Sequence, residues 1–141
     1  MSSARYEDVE PGAKLPTREF ELGRPDLVRY AGASGDFNPI HWNDRAAAQA
    51  GLPEVIAHGM LTMGLAIRAV TEWAGGPGAV AEYRVRFRRP VPVPDGERAL
   101  VVVSGTVKEK LANQRVLIDL SVHCGSTKVL TAAKVVAYLG R

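Results

Sequence analysis

Residues 58–74 read His58-Gly59-Met60-Leu61-Thr62-Met63-Gly64-Leu65-Ala66-Ile67-Arg68-Ala69-Val70-Thr71-Glu72-Trp73-Ala74, and where this stretch is buried decides the fold. Wound into a helix, it carries Met60, Leu61, Met63, Leu65, Ala66, Ile67, Val70 and Trp73 on nearly every side. A helix with so little polar face is expected to lie inside something. His58, Arg68 and Glu72 interrupt it, so it is too short and too polar to span a bilayer. Gly59, Gly64 and Ala66 are small enough to admit a sheet or a ligand at close range.

On the C-terminal side the hydrophobic period changes. Tyr83, Val85 and Phe87 alternate with Arg84, Arg86 and Arg88, the period of a strand. Pro90, Pro92, Pro94 and Gly96 break the run, and three more strands are predicted near 99–109, 115–123 and 128–139. On the N-terminal side, residues 15–22 read as a first strand. A short helix follows from Pro25 through Leu27, Val28 and Ala31 and stops in the glycines of 32–35. Asn43 or Asp44 caps a small helix over 45–50, which ends at Gly51 before Pro53. Helices followed by consecutive strands predict an α+β chain with an antiparallel sheet. The simplest such arrangement wraps a curved sheet around the apolar helix as a hot-dog fold. With no internal repeat or long linker, one domain is expected over 1–141.

Composition narrows the functions. A chain of 141 residues can bury a sizeable core, and its 46% hydrophobic and 23% charged residues are those of a globular protein. The net charge of +3 is mild, and the basic residues are few and not interleaved with aromatics, which disfavours a nucleic-acid module. Cys124 has no partner for an internal disulfide, and residues 1–14 carry charges of both signs without an apolar run. A cytoplasmic location without membrane association is therefore expected.

The chemistry gathers in Asp36-Phe37-Asn38-Pro39-Ile40-His41. Pro39 sets its own φ and drives Asn38 toward extended geometry, so the segment is a shaped loop. Taken alone, Asp36 reads as a turn former and His41 as a structural histidine. Together they offer an acid and a base to one small volume, enough to move a proton and a water in concert. Seventeen residues after His41, His58 opens the apolar helix, where it reads as a cap or a structural residue.

The stretch Tyr30-Ala31-Gly32-Ala33-Ser34-Gly35-Asp36-Phe37-Asn38-Pro39-Ile40-His41-Trp42 resembles the hydratase motif of the MaoC-like (R)-specific enoyl hydratases and dehydratases. Ala57-His58-Gly59-Met60-Leu61-Thr62-Met63-Gly64 and Tyr83-Arg84-Val85-Arg86-Phe87 are similar to that family's central helix and following strand. Within the family the likeness is greatest to the catalytic subunit of the (3R)-hydroxyacyl-ACP dehydratase. The resemblance implies a hot-dog subunit that pairs edge to edge with an identical or a related copy. It also implies that Asp36 and His41 do the chemistry while the Gly59 amide holds a thioester carbonyl. Some relatives carry a serine deeper in the helix; the comparable position here is Ile67, and Thr62 is only a weak substitute.

Adding water to a trans-2-enoyl thioester needs water aimed at C3, a proton for C2 and donors for the carbonyl. Imidazole titrates at about 6.5, suiting His41 as base, with Asp36 orienting the same water. Gly59, just inside a helix start, leaves its N–H unshielded where the dipole is positive. Asn38 is expected to brace the loop. Arg84, Arg86, Arg88 and Arg89 read mostly as a solvated face, with Arg86 and Arg88 as candidates for the phosphate of a pantetheine arm or an acidic carrier protein. The substrate is a CoA or acyl-carrier-protein thioester, and no cofactor or metal is expected. Two other readings are a hot-dog thioesterase, disfavoured because the helix has no carboxylate before Glu72, and a non-catalytic acyl-binding subunit, which would not need both Asp36 and His41.

Overall fold

Five antiparallel strands form one sheet in the computed structural model, which describes residues 3–140. They are β1 (Lys14–Leu22), β2 (Val80–Phe87), β3 (Ala99–Leu111), β4 (Arg115–Cys124) and β5 (Thr127–Tyr138), in the spatial order β1-β3-β4-β5-β2. Between β1 and β2 run the helices α1 (Arg24–Ser34), α2 (Asp44–Gln49) and α3 (Gly59–Ala74). A helix laid across an antiparallel sheet is the hot-dog arrangement expected from the change of period.

Local chemistry explains the centre of the sheet. β3 and β4 alternate buried Val101, Val103, Val107, Val116, Ile118, Leu120 and Val122 with less buried neighbours, so one face of each strand meets the core. Burying each such valine or isoleucine contributes roughly 1.5–3 kcal/mol. The two-residue hairpin between β4 and β5 places Gly125 at φ 61, in the left-handed region where a Cβ is costly. At the edge, β2 pairs only with β5, and the Tyr83 hydroxyl donates to the Met63 carbonyl at 2.7 Å, tying that strand to α3.

The central helix is not buried all round. Thr62, Ala66, Ala69 and Val70 are its buried residues, whereas Met60 is 59% exposed and Leu61, Met63, Leu65 and Ile67 are only half-buried. The sheet covers one side of α3, and nothing among the described residues encloses the other. Gly64 faces open space rather than a close neighbour, so its small size serves no contact within the chain. Among the described residues no helix is long and apolar enough to cross a membrane.

Candidate active site

α1 delivers the chain to the site. Asp26 accepts the Gly23 N–H at 2.8 Å at its start, and Gly35, at φ 77, ends it in a left-handed turn. The loop that follows is laced by its own side chains. Ser34 Oγ accepts the Asp36 N–H at 3.1 Å, Asp36 Oδ1 accepts the Asn38 N–H at 3.1 Å, and Asn38 Oδ1 accepts the Ile40 N–H at 3.3 Å. Pro39–His41 then form one 3₁₀ turn. Trp42 Nε1 donates back to the Phe37 carbonyl at 3.0 Å. Arg24 bridges the Val93 carbonyl and, at 2.9 Å, the Asp44 carboxylate, holding α1 and α2 against the segment before β3.

This lacing gives the two ends of the motif different surroundings. Asp36 keeps 52% of its side chain exposed, while the His41 side chain is 9% exposed. His41 Nδ1 lies 2.8 Å from the Ile56 carbonyl, and because a carbonyl only accepts, Nδ1 carries the proton. Nε2 therefore presents its lone pair, and it lies 3.9 Å from Asp36 Oδ2. That separation is too long for a direct hydrogen bond and leaves room for one water touching both atoms.

His58 has a larger part than a cap. It is 1% exposed, its Nε2 donates to the Asp36 backbone carbonyl at 3.1 Å, and its ring stacks on His41 with centroids 3.9 Å apart and planes 20° from parallel. Tyr30 meets its other surroundings edge-on at 4.7 Å. Burial pushes the His58 pKa down, assisted by the neighbouring His41, although the bond to Asp36 opposes the shift. Its Nδ1 is buried without a partner, as suits a neutral ring. A neutral imidazole stacked on His41 places no second positive charge beside it. The clue in the sequence was the position itself, one residue before the helix, but only the folded chain places the ring beneath the loop.

Gly59 is the first residue of α3, so its N–H has no acceptor within the helix. With His41, Thr62, Phe87 and Arg88 it lines a cavity of about 290 Å³. Asp36 does not line that cavity and reaches it through His41. Phe87 is the neighbour that requires a glycine: a Cβ on Gly59 would lie 3.1 Å from its ring. The two candidate arginines are placed differently. Arg88 lines the cavity, but Arg86 stands exposed on β2 opposite Thr131 and does not; β2 ends at Phe87, and Arg88 lies in the segment beyond it, where the strand's alternation no longer holds. Arg89 lines it instead. Thr62, buried, is the hydroxyl nearest this wall. Asp36, His41 and His58 hold ligand atoms within 4.8 Å of one another, a set that could hold a cation, though proton transfer through a shared water calls for none.

The family model for the MaoC like domain matches residues 7–123. The chain belongs to this family. It is 33% identical to the (R)-specific enoyl-CoA hydratase of Rhodospirillum rubrum over 106 residues, covering 74% of this chain and 73% of that protein. It is 48% identical over 85 residues to the 3-hydroxyacyl-thioester dehydratase X of Mycobacterium tuberculosis, covering 60% of this chain and 29% of the longer relative. Among solved structures, a MaoC-like dehydratase superposes with a TM-score of 0.94 at 38% identity, over 98% of this chain and 43% of the other. These MaoC-like relatives carry the names of hydratases and of dehydratases.

Proposed function

We propose that this chain is a lyase that interconverts trans-2-enoyl thioesters and (3R)-3-hydroxyacyl thioesters, with Asp36 and His41 as its catalytic residues. The observation that carries the reading is the 3.9 Å approach of Asp36 Oδ2 to an unprotonated His41 Nε2, next to a cavity that is also lined by Gly59, the first residue of α3.

In hydration, the water held between the two side chains attacks C3 as His41 Nε2 takes its proton. The Asp36 carboxylate stabilises the imidazolium so formed. Electrons move from the C2–C3 double bond toward the thioester carbonyl, whose oxygen accepts a hydrogen bond from Gly59. A missing donor of this kind costs about 2.7–4 kcal/mol of transition-state stabilisation. The proton on Nε2 passes to C2, the carbonyl re-forms, and the base is restored. Dehydration runs the same path backward. Asn38 holds Asp36 Oδ1 through its backbone, so that Oδ2 is the oxygen left for water.

Arg88 and Arg89, lining the same cavity, suit the phosphate of the pantetheine arm. The thioesterase alternative is weakened by Glu72, the helix carboxylate, which pairs with Arg18 and with Arg68 at 3.2 Å, away from the His41 cavity. The chain works in the cytoplasm, where its lone cysteine stays reduced. It pairs with an identical or related hot-dog subunit along β2. The exposed Met60 and Phe87, and a strand paired on one side only, support that edge. Purified chain incubated with crotonyl-CoA should remove the enoyl thioester absorbance. Near wild-type turnover by Asp36→Asn would overturn the assignment.

A further inference from the structure

A threonine inside a helix commonly returns its hydroxyl to a carbonyl three or four residues back. In α3, Thr71 does so, donating to the Arg68 carbonyl at 3.3 Å. Thr62, only 3% exposed, does not, and its hydroxyl bonds no other described residue. The His58 carbonyl, four residues back, already accepts the Leu61 N–H at 3.0 Å and the Thr62 N–H at 3.2 Å. A buried hydroxyl without a partner in its own chain is uncommon, and it suits a partner that arrives from outside. Its position says where. Gly59 and Thr62 stand one turn apart at the spacing that shares a helix face, and both line the cavity of about 290 Å³ together with His41. Side chains on a helix tilt toward its N-terminus, so Thr62 leans over the first turn, where the Gly59 N–H has no acceptor in the helix. Threonine uses two χ1 wells in a helix, so the hydroxyl can face the cavity without strain. Ile56, Ala57, Val91 and Leu130 give the same cavity apolar lining, in which a hydrogen bond competes less with bulk water.

We propose that Thr62 is a further catalytic residue, its hydroxyl donating a second hydrogen bond, beside the Gly59 N–H, to the thioester oxygen as negative charge gathers there. The inference rests on the reading that the cavity takes an enoyl thioester. A carbonyl oxygen has two lone pairs, and one backbone N–H engages only one of them. The charge on that oxygen is largest in the enolate-like transition state. A donor aimed at it therefore strengthens as the reaction proceeds, and it raises kcat more than it tightens binding. Thr62 keeps its own proton throughout. The proton taken from water still travels through His41 Nε2 to C2, so the hydroxyl stabilises the intermediate charge without entering the transfer.

Two measurements on the full chain test the hydroxyl. Thr62→Val puts a methyl group in its place at similar volume, and Thr62→Ser restores it. With crotonyl-CoA, kcat should fall about 10²-fold in Thr62→Val with KM nearly unchanged, and Thr62→Ser should recover most of the loss. Thr62→Ala replaces the valine variant should the added methyl block the cavity. The Tm of Thr62→Val should equal or exceed that of the wild type, because an unbonded buried hydroxyl lends the fold nothing. The second measurement needs no turnover. Acetoacetyl-CoA bound to the wild type should show raised enolate absorbance at fixed pH, which Thr62→Val loses and Thr62→Ser keeps. The inference is overturned if Thr62→Val keeps wild-type kcat, or if it melts well below the wild type, which would make the hydroxyl structural. It is also overturned if the enolate absorbance is absent in the wild type or equal in Thr62→Val. A wild type that turns over no enoyl thioester would instead sink the lyase reading, and the enolate absorbance would still judge the donor pair.

Discussion

Asp36 and His41 sit five residues apart in a loop whose hydrogen bonds are nearly all local, which is why the pair was legible in the sequence. An Asx turn at Asp36, another at Asn38 and the constraint of Pro39 set the loop before any distant contact is needed. The partners of His41 were not legible, since Ile56 and His58 lie fifteen and seventeen residues away. Asp36→Asn and His41→Ala should each lower kcat for crotonyl-CoA by about 10²- to 10⁴-fold while circular dichroism stays that of the folded chain. His58→Phe preserves a ring against His41 but loses the bond to the Asp36 carbonyl, so kcat should fall with little change in KM. His58 also makes stability pH-dependent. Its pKa is lowered by folding, so the unfolded chain takes up the proton first as pH falls. Its contribution is intact above about 6.5, the unfolded value, and is lost progressively below it. Thermal melts between about pH 7 and pH 5.5 should show a steeper fall in Tm for the wild type than for His58→Phe.

At the scale of elements, α3 was the best anticipated in extent and the least well in burial. Its bounds follow from the glycines at either end, Gly59 at the start and Gly75 in a left-handed C-cap at φ 103. An apolar stripe, however, reports what could be buried and not what is present to bury it. The first turn of α3 and the end of β2 meet at Gly59 and Phe87. Gly59→Ala should push the exposed Phe87 ring aside into the cavity. Stability should change by less than about 1 kcal/mol, read from urea unfolding, while kcat/KM falls several-fold. In the β4–β5 hairpin the balance reverses: Gly125→Val forces a branched residue into φ 61 and should cost about 1–2 kcal/mol in the same measurement, without a specific effect on turnover.

For the molecule as a whole, the half-bare helix and the one-sided β2 edge leave apolar surface that a second hot-dog subunit would cover. Sedimentation should give twice the mass of one chain if the partner is identical. Met60→Asp should shift that equilibrium toward monomer, because the new carboxylate suits the positive end of α3 yet opposes an apolar interface. A purified chain that stays monomeric and inactive would point to a different subunit as the missing partner. The order of helices and strands, the sheet periodicity and the shape of the Asp36–His41 loop were all determined by the sequence alone, because each rests on contacts within a turn or two of the chain. Which arginines reach the cavity, which nitrogen of His41 is free, and that His58 stacks on His41 and binds the Asp36 carbonyl were decided only by the tertiary structure. Those facts depend on which segments the sheet and α3 bring together across long stretches of chain, and no local period encodes that meeting.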